Sequence, residues 1–200
     1  WLTEAAIRGF MDAVGPEKIV VLDEAYFEYV DEVEYPDGMT MLDDYPNLVV
    51  TRTFSKAYGL AGFRIGYGVC RPDLADLINR LRLPFNGNTG ALAAAEAALA
   101  DEAHVNSAIK TNAEALKVLE AGCRELGLSF VPSVGNFLLI DVGRDGQWVF
   151  GELLKRGIIV RALGGDLASY IRVSTGLPEQ NERFVTALAD ILAQEPAAVA

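Results

Sequence analysis

The sequence of 200 residues carries 17 Lys and Arg against 28 Asp and Glu, a formal net charge of -11, with 51% hydrophobic and 22% charged residues. That composition is globular rather than disordered, and the chain is long enough to bury a core without a metal or disulfide staple. Its acidity and the lack of a Lys/Arg stripe argue against nucleic acid and anionic membrane, leaving small molecules and proteins as partners.

The two cysteines, Cys70 and Cys123, match no CxxC spacing, and the single histidine, His104, supplies no nitrogen cluster, so no metal site is expected. Both thiols are expected to be buried and reduced, as suits a cytoplasmic protein. The richest apolar run, residues 91–100, is too short and too alanine-based to span a membrane.

In chain order, residues 3–14 read as a helix with Thr3 as N-cap, ended by Gly15-Pro16. The apolar run 19–22 predicts a strand buried on both faces, ending in Asp23-Glu24, and a loop rich in Asp, Pro and Gly covers 31–47. A second strand is predicted over 47–53 and a third over 64–69, followed by a helix over 73–83. Helix-forming residues run from 89 to 126, as two helices or one broken near Asp101. Strand 129–142, interrupted at 132–135, leads to helix 147–156, strands 158–161 and 170–174, and a last helix from Pro178 to about Gln194; residues 196–200 read as a frayed end. This is an α/β chain whose second half is a smaller α+β layer.

Chemistry concentrates where predicted strands end. Asp23 and Glu24 are neighbours, so strand alternation lets only one face a given site and leaves the other a structural contact. Residues 53–68 gather Thr53, Ser55, Lys56 and Arg64 with glycines at 59, 62, 66 and 68, which suits a phosphate cradle. Spacing alone is equally consistent with a glycine-rich corner between strands, since the segment is neither a Walker A loop nor a GxGxxG turn. A Ser55-Lys56 nucleophile pair is disfavoured because neighbouring side chains diverge. Tyr58, Tyr67, Trp1 and Trp148 are expected to pack, and His104 to lie at the surface.

Taken together, Asp23-Glu24-Ala25-Tyr26, Phe54-Ser55-Lys56-Ala57 and Gly62-Phe63-Arg64-Ile65-Gly66 resemble the pyridoxal-phosphate aminotransferases of the aspartate-aminotransferase fold. Pro84-Phe85-Asn86, Gly135-Asn136-Phe137, Gly157-Ile158-Ile159-Val160-Arg161 and Ile171-Arg172-Val173-Ser174-Thr175-Gly176 extend the likeness over nearly the whole chain, toward the histidinol-phosphate branch of that family. The resemblance implies part of the fold type I large domain (residues 1–88), connecting helices (89–126) and a small carboxyl-terminal α+β domain (127–200). It implies that an amino-terminal part of the fold precedes this stretch.

The resemblance further implies pyridoxal 5'-phosphate as cofactor, with Lys56 as the catalytic lysine that bonds to it. Asp23 would meet the pyridine nitrogen, Tyr26 the ring oxygen, and Thr53, Ser55 and Arg64 the phosphate. Arg172 and Arg161 would take the acidic groups of the substrate, and Asn136 is either a substrate-side residue or only the filler of a turn. The implied reaction transfers an amino group from a small-molecule donor, histidinol phosphate, to a 2-oxo acid, 2-oxoglutarate, in a homodimer. Aromatic amino-acid aminotransferase, threonine-phosphate decarboxylase and a non-catalytic fragment are the alternatives. The family's Asn-x-Asn-Ser after Pro-Phe is replaced here by Asn86-Gly87-Asn88-Thr89.

Overall fold

The computed structural model describes residues 1–194 and divides into two compact units, Trp1–Ile109 and Lys110–Ala200. The frayed end expected over 196–200 lies outside the described residues.

In the first unit, helix α1 (Glu4–Val14) starts where Thr3 Oγ1 accepts the Ala6 N–H at 3.2 Å and stops at Gly15, whose φ of 72° a side chain would resist. Its Ile7 and Met11 are buried with Met41, Leu48 and Val50 against the sheet. Strands β1 (Val20–Asp23), β2 (Leu48–Thr53) and β3 (Gly66–Cys70) lie in the order β1-β2-β3, with β1 parallel and β3 antiparallel to β2. The buried Asn47 donates to the carbonyls of Gly15 and Lys18, tying the start of β2 to the turn that feeds β1. Helices α2 (Pro72–Arg80) and α3 (Thr89–Leu99) follow. Asn88 caps α3 by accepting the Ala91 N–H at 2.9 Å, which gives the departure at 86–89 a local role.

Strand β1 corrects one expectation. Among the described residues it is not buried on both faces: Ile19 and Val21 are 63% and 59% exposed, because α1 covers only the side of Val20 and Leu22. The third strand starts later than expected, at Gly66, because Arg64 adopts a left-handed backbone that cannot continue a ladder. Cys70 is only half-buried, whereas Cys123 is buried as expected.

Helix α4 (Glu102–Glu125) begins after a break at Ala100-Asp101, and the division between the units falls within it. The second unit holds strands β4 (Ser129–Val131) and β5 (Phe137–Asp141), helix α5 (Gly146–Lys155), strands β6 (Arg161–Ala162) and β7 (Tyr170–Ser174), and helix α6 (Pro178–Leu192). The sheet is antiparallel in the order β4-β5-β7-β6. Leu138, Ile140, Ile171 and Val173 point to one face, where Leu119, Val149, Leu153, Phe184 and Leu188 complete the core. Burying each large apolar side chain contributes about 1.5–3 kcal/mol. The alternate residues, Leu139 and Arg172 among them, point to the other face. Strand β6 has two residues where four were expected: Val160 turns into the core and Ile159 stays 80% exposed, so the run 158–160 leaves the ladder.

Candidate active site

Two groups of expected site residues form, one in each unit. In the first, Asp23 ends β1 opposite Thr51, and its Oδ1 accepts the Ala25 N–H at 3.2 Å and the Thr51 hydroxyl at 3.4 Å. Alternation sends Glu24 the other way, as expected, into a nearly sealed site where it is 2% exposed. Its Oε2 accepts from Arg52 Nε at 2.9 Å and Nη2 at 2.8 Å, and its Oε1 accepts the Gly38 N–H at 2.8 Å. Arg52 Nη2 also donates to Asp37 Oδ1 at 2.6 Å, and its guanidinium lies 3.5 Å from the centroid of the Phe27 ring. Burial works against the Arg52 charge, but its hydrogen bonds and ion pairs with Glu24 and Asp37 outweigh that and raise its pKa above the ordinary value.

The loop after β2 carries Lys56. Phe54 is buried against Tyr58 and Tyr67, with ring centroids 5.0 and 5.7 Å away, so both tyrosines pack as expected. The Phe54 N–H donates to the Ile65 carbonyl and the Leu60 N–H to the Phe54 carbonyl, closing the loop on itself. Gly59, at φ 71°, donates its N–H to the Lys56 carbonyl at 2.9 Å, and exposed His104 lies alongside, with Nε2 3.5 Å from where a Gly59 Cβ would stand. Lys56 is half-buried, with Nζ 5.3 Å from the Tyr26 ring centroid. Thr53 Oγ1 accepts the Ser55 N–H at 3.1 Å, and Arg64 Nη1 donates to Ser55 Oγ at 3.4 Å and to the Ala61 carbonyl at 2.9 Å. Arg64 has no carboxylate partner among the described residues. A guanidinium and two hydroxyls gathered without an internal counter-charge fit a phosphate group, the donor set an anion needs.

Glu28 Oε2 is buried without a hydrogen-bond partner, and burial raises the pKa of that carboxyl. Burial also raises the Tyr58 hydroxyl, with the Glu28 charge adding to it, and pushes Tyr35 up to about 12.

In the second unit Arg161 and Arg172 are cross-strand partners on β6 and β7, and neither pairs with a carboxylate among the described residues. Arg172 lies 4.9 Å from the centroid of Phe137, on the same face. The Asn136 carbonyl accepts from Thr175 N at 3.0 Å and Thr175 Oγ1 at 3.2 Å, so its backbone fills a structural role. That junction is pinned to α4 by buried Asn112, whose Nδ2 donates to the Gly135 carbonyl and whose Oδ1 accepts from Thr175 Oγ1.

In the first unit the structure thus brings Tyr26 beside Lys56, Thr53 and Arg64 around Ser55, and Asp23 against Thr51 on the same strand as Thr53; in the second unit it sets Arg161 opposite Arg172. Arg52 and Asn112 carry no signal in the sequence: each is an ordinary polar residue there, and only the burial of a charge on one and of an amide on the other marks them.

The chain spans about half the length of the curated relatives it matches. Histidinol-phosphate aminotransferase 1 of Idiomarina loihiensis is 48% identical over 189 residues, 94% of this chain and 52% of that protein. Histidinol-phosphate aminotransferase 2 of Pseudomonas fluorescens is 48% identical over 195 residues, 97% of this chain and 53% of that one. Among solved structures, the histidinol-phosphate aminotransferase of Sinorhizobium meliloti, in complex with pyridoxal-5'-phosphate, is 32% identical with a TM-score of 0.88, covering 96% of this chain and 53% of its own. The L-threonine-O-3-phosphate decarboxylase of Porphyromonas gingivalis is 27% identical with a TM-score of 0.83, over 96% of this chain and 60% of its own. The fold is therefore the expected α/β fold type I. Residues 7–188 match the model for aminotransferase class I and II, and the chain belongs to that family.

Proposed function

We propose that the protein carrying this chain is a pyridoxal 5'-phosphate-dependent aminotransferase that exchanges an amino group between histidinol phosphate and 2-oxoglutarate. The observation that carries the phosphate-bearing donor is the in-register pair Arg161 and Arg172, two guanidiniums on one sheet face with no carboxylate of their own among the described residues. Opposed like charges disfavour the empty site and favour an anion that bridges them. The same pair serves the carboxylates of 2-oxoglutarate in the second half-reaction. The near-complete match of this chain to proteins named histidinol-phosphate aminotransferase supports the same donor.

The cofactor, when bound, supplies an electron sink for charge developing on the donor carbon. Lys56 is the residue that would hold it covalently, and its Nζ, when free, would be the base placed to move the proton from that carbon. Asp23 would face the ring nitrogen and the Tyr26 hydroxyl the ring oxygen. Thr53, Ser55 and Arg64 hold the phosphate. Asn136 directs its side-chain amide to the substrate while its carbonyl holds Thr175. Residues 1–88 serve as part of the large domain, 89–126 as connecting helices and 127–200 as the small domain, in a cytoplasmic homodimer. Among the described residues no helix is long and apolar enough to cross a membrane.

A panel of amino donors with and without a phosphate ester, run on the full-length protein, tests the substrate. Histidinol phosphate should exceed phenylalanine and tyrosine by about tenfold or more in kcat/KM, the effect of one charged contact. Preference for the aromatic amino acids would overturn the proposal, and carbon dioxide release from threonine phosphate would favour the decarboxylase, whose likeness in fold is close.

A further inference from the structure

We infer that Glu24 and Arg52 act as a positioning pair, aiming Asp23 and Tyr26 at the cofactor ring through the buried ion pair that fastens the turn carrying both to strand β2. The inference rests on the cofactor reading above and adds residues that touch neither cofactor nor substrate.

Glu24 stands between the two residues it serves and is tied at each of its polar groups. Its N–H donates to the Thr51 carbonyl at 2.9 Å, extending the β1/β2 ladder one residue past Asp23. Its carbonyl accepts the Phe27 N–H at 3.0 Å, closing the turn on which Tyr26 sits. Its side chain, 1% exposed, takes the Arg52 fork and the Gly38 N–H. Arg52 leaves β2 between Thr51, which donates to Asp23, and Thr53, at the start of the Lys56 loop. One guanidinium therefore fixes the strand and the turn in a single frame.

The surroundings leave that frame little freedom. A Cβ on Gly38 would stand 2.7 Å from Glu24 Oε1 and 2.6 Å from Leu22 Cδ2, so the returning loop is packed directly on the carboxylate. The Arg52 plane is held over Phe27, which in turn lies 6.1 Å from Tyr35. Around the guanidinium stand the charges of Glu24 and Asp37, with Glu28, Tyr35, Tyr58 and Tyr67 near it. A buried ion pair adds little stability over a well-packed apolar pair, whereas its planar, directional hydrogen bonds define one geometry. Directional geometry is what two residues aimed at one flat ring require.

The test uses the full-length protein with pyridoxal 5'-phosphate. Arg52→Lys keeps the charge but loses the fork and the plane over Phe27. The double variant Glu24→Gln/Arg52→Met removes both charges while keeping side-chain volume, so neither member of the pair is left buried and charged without the other. Leu138→Ala, in the core of the other unit, is the control for general destabilisation. With Asp23 and Tyr26 loosened, the ring nitrogen would hold its proton less firmly and the ring oxygen would lose its donor, and loss of the positive charge on the ring would move the pH midpoint of the bound-cofactor absorption upward. The expected result is a rise of about one pH unit or more in the midpoint of the bound-cofactor absorption change, and about tenfold weaker cofactor binding, in both pair variants. Leu138→Ala should lower the melting temperature without moving the midpoint. A folded pair variant with the wild-type midpoint and affinity would overturn this inference alone. Absence of the cofactor band from the wild-type protein would overturn it together with the cofactor reading.

Discussion

Arg172 on β7 stands directly opposite Arg161 on β6, so two guanidiniums share one face of the sheet with no carboxylate paired to either among the described residues. Replacing Arg172 with Ala should lower kcat/KM for a phosphate-bearing donor by roughly 10- to 150-fold, from the ~1.5–3 kcal/mol of a hydrogen bond to a charged group. Cofactor affinity, measured by absorbance titration, should stay unchanged. Equal losses in donor and cofactor would remove Arg172 from the substrate role.

Gly66 lies opposite Thr53 in the β2/β3 ladder, and a Cβ there would stand 2.7 Å from the Arg52 carbonyl oxygen. Gly66→Ala should therefore destabilise the protein by about 1–3 kcal/mol, because the obstacle is backbone that cannot swing aside. Gly62→Ala meets nothing within 4 Å and should stay within about 0.5 kcal/mol of wild type. Denaturant unfolding of the two variants separates the effects, and equal stability would contradict the packing account.

Glu28 holds its proton to higher pH in the folded protein than in the unfolded chain, because its carboxyl is buried with one oxygen unpartnered. Its contribution is complete below the unfolded value of about 4.3 and is lost as pH rises through the raised folded value. Glu28→Gln should consequently melt above wild type at neutral and alkaline pH, by about 2–4 °C for each ~1 kcal/mol relieved. The gap should close on acidification toward about pH 4. A gap independent of pH would mean that burial of the charge is not its cause.

Cys123 is buried at 2% exposure, and burial pushes its thiol up to about 11. A thiol reagent applied to native protein at pH 8 should label half-buried Cys70 and spare Cys123 until denaturant is added. Labelling of both at the same rate would show that the core of the second unit opens readily.

Much of this fold was readable from local pattern, and the parts that were not have a common cause. The break at Ala100-Asp101, the interruption between β4 and β5 and the cap at Thr3 are local signals, and the elements follow them. The exposure of Val21 depends on which face of β1 helix α1 covers, a matter of tertiary packing. Strand alternation separated Asp23 from Glu24, yet it could not name Arg52, because that partner follows from the parallel register that sets Asp23 against Thr51. Likewise Arg161 and Arg172 each belonged to a recognisable motif, but their pairing exists only through the antiparallel register of β6 on β7.

Lys56, beside Tyr26 at the end of the first sheet, is the residue proposed to bond the cofactor. Borohydride reduction of the full-length protein with pyridoxal 5'-phosphate, followed by peptide mapping, tests it most directly. A single stable label on Lys56, lost in Lys56→Arg, is expected. A label on another lysine, or no label at all in protein saturated with cofactor, would contradict it.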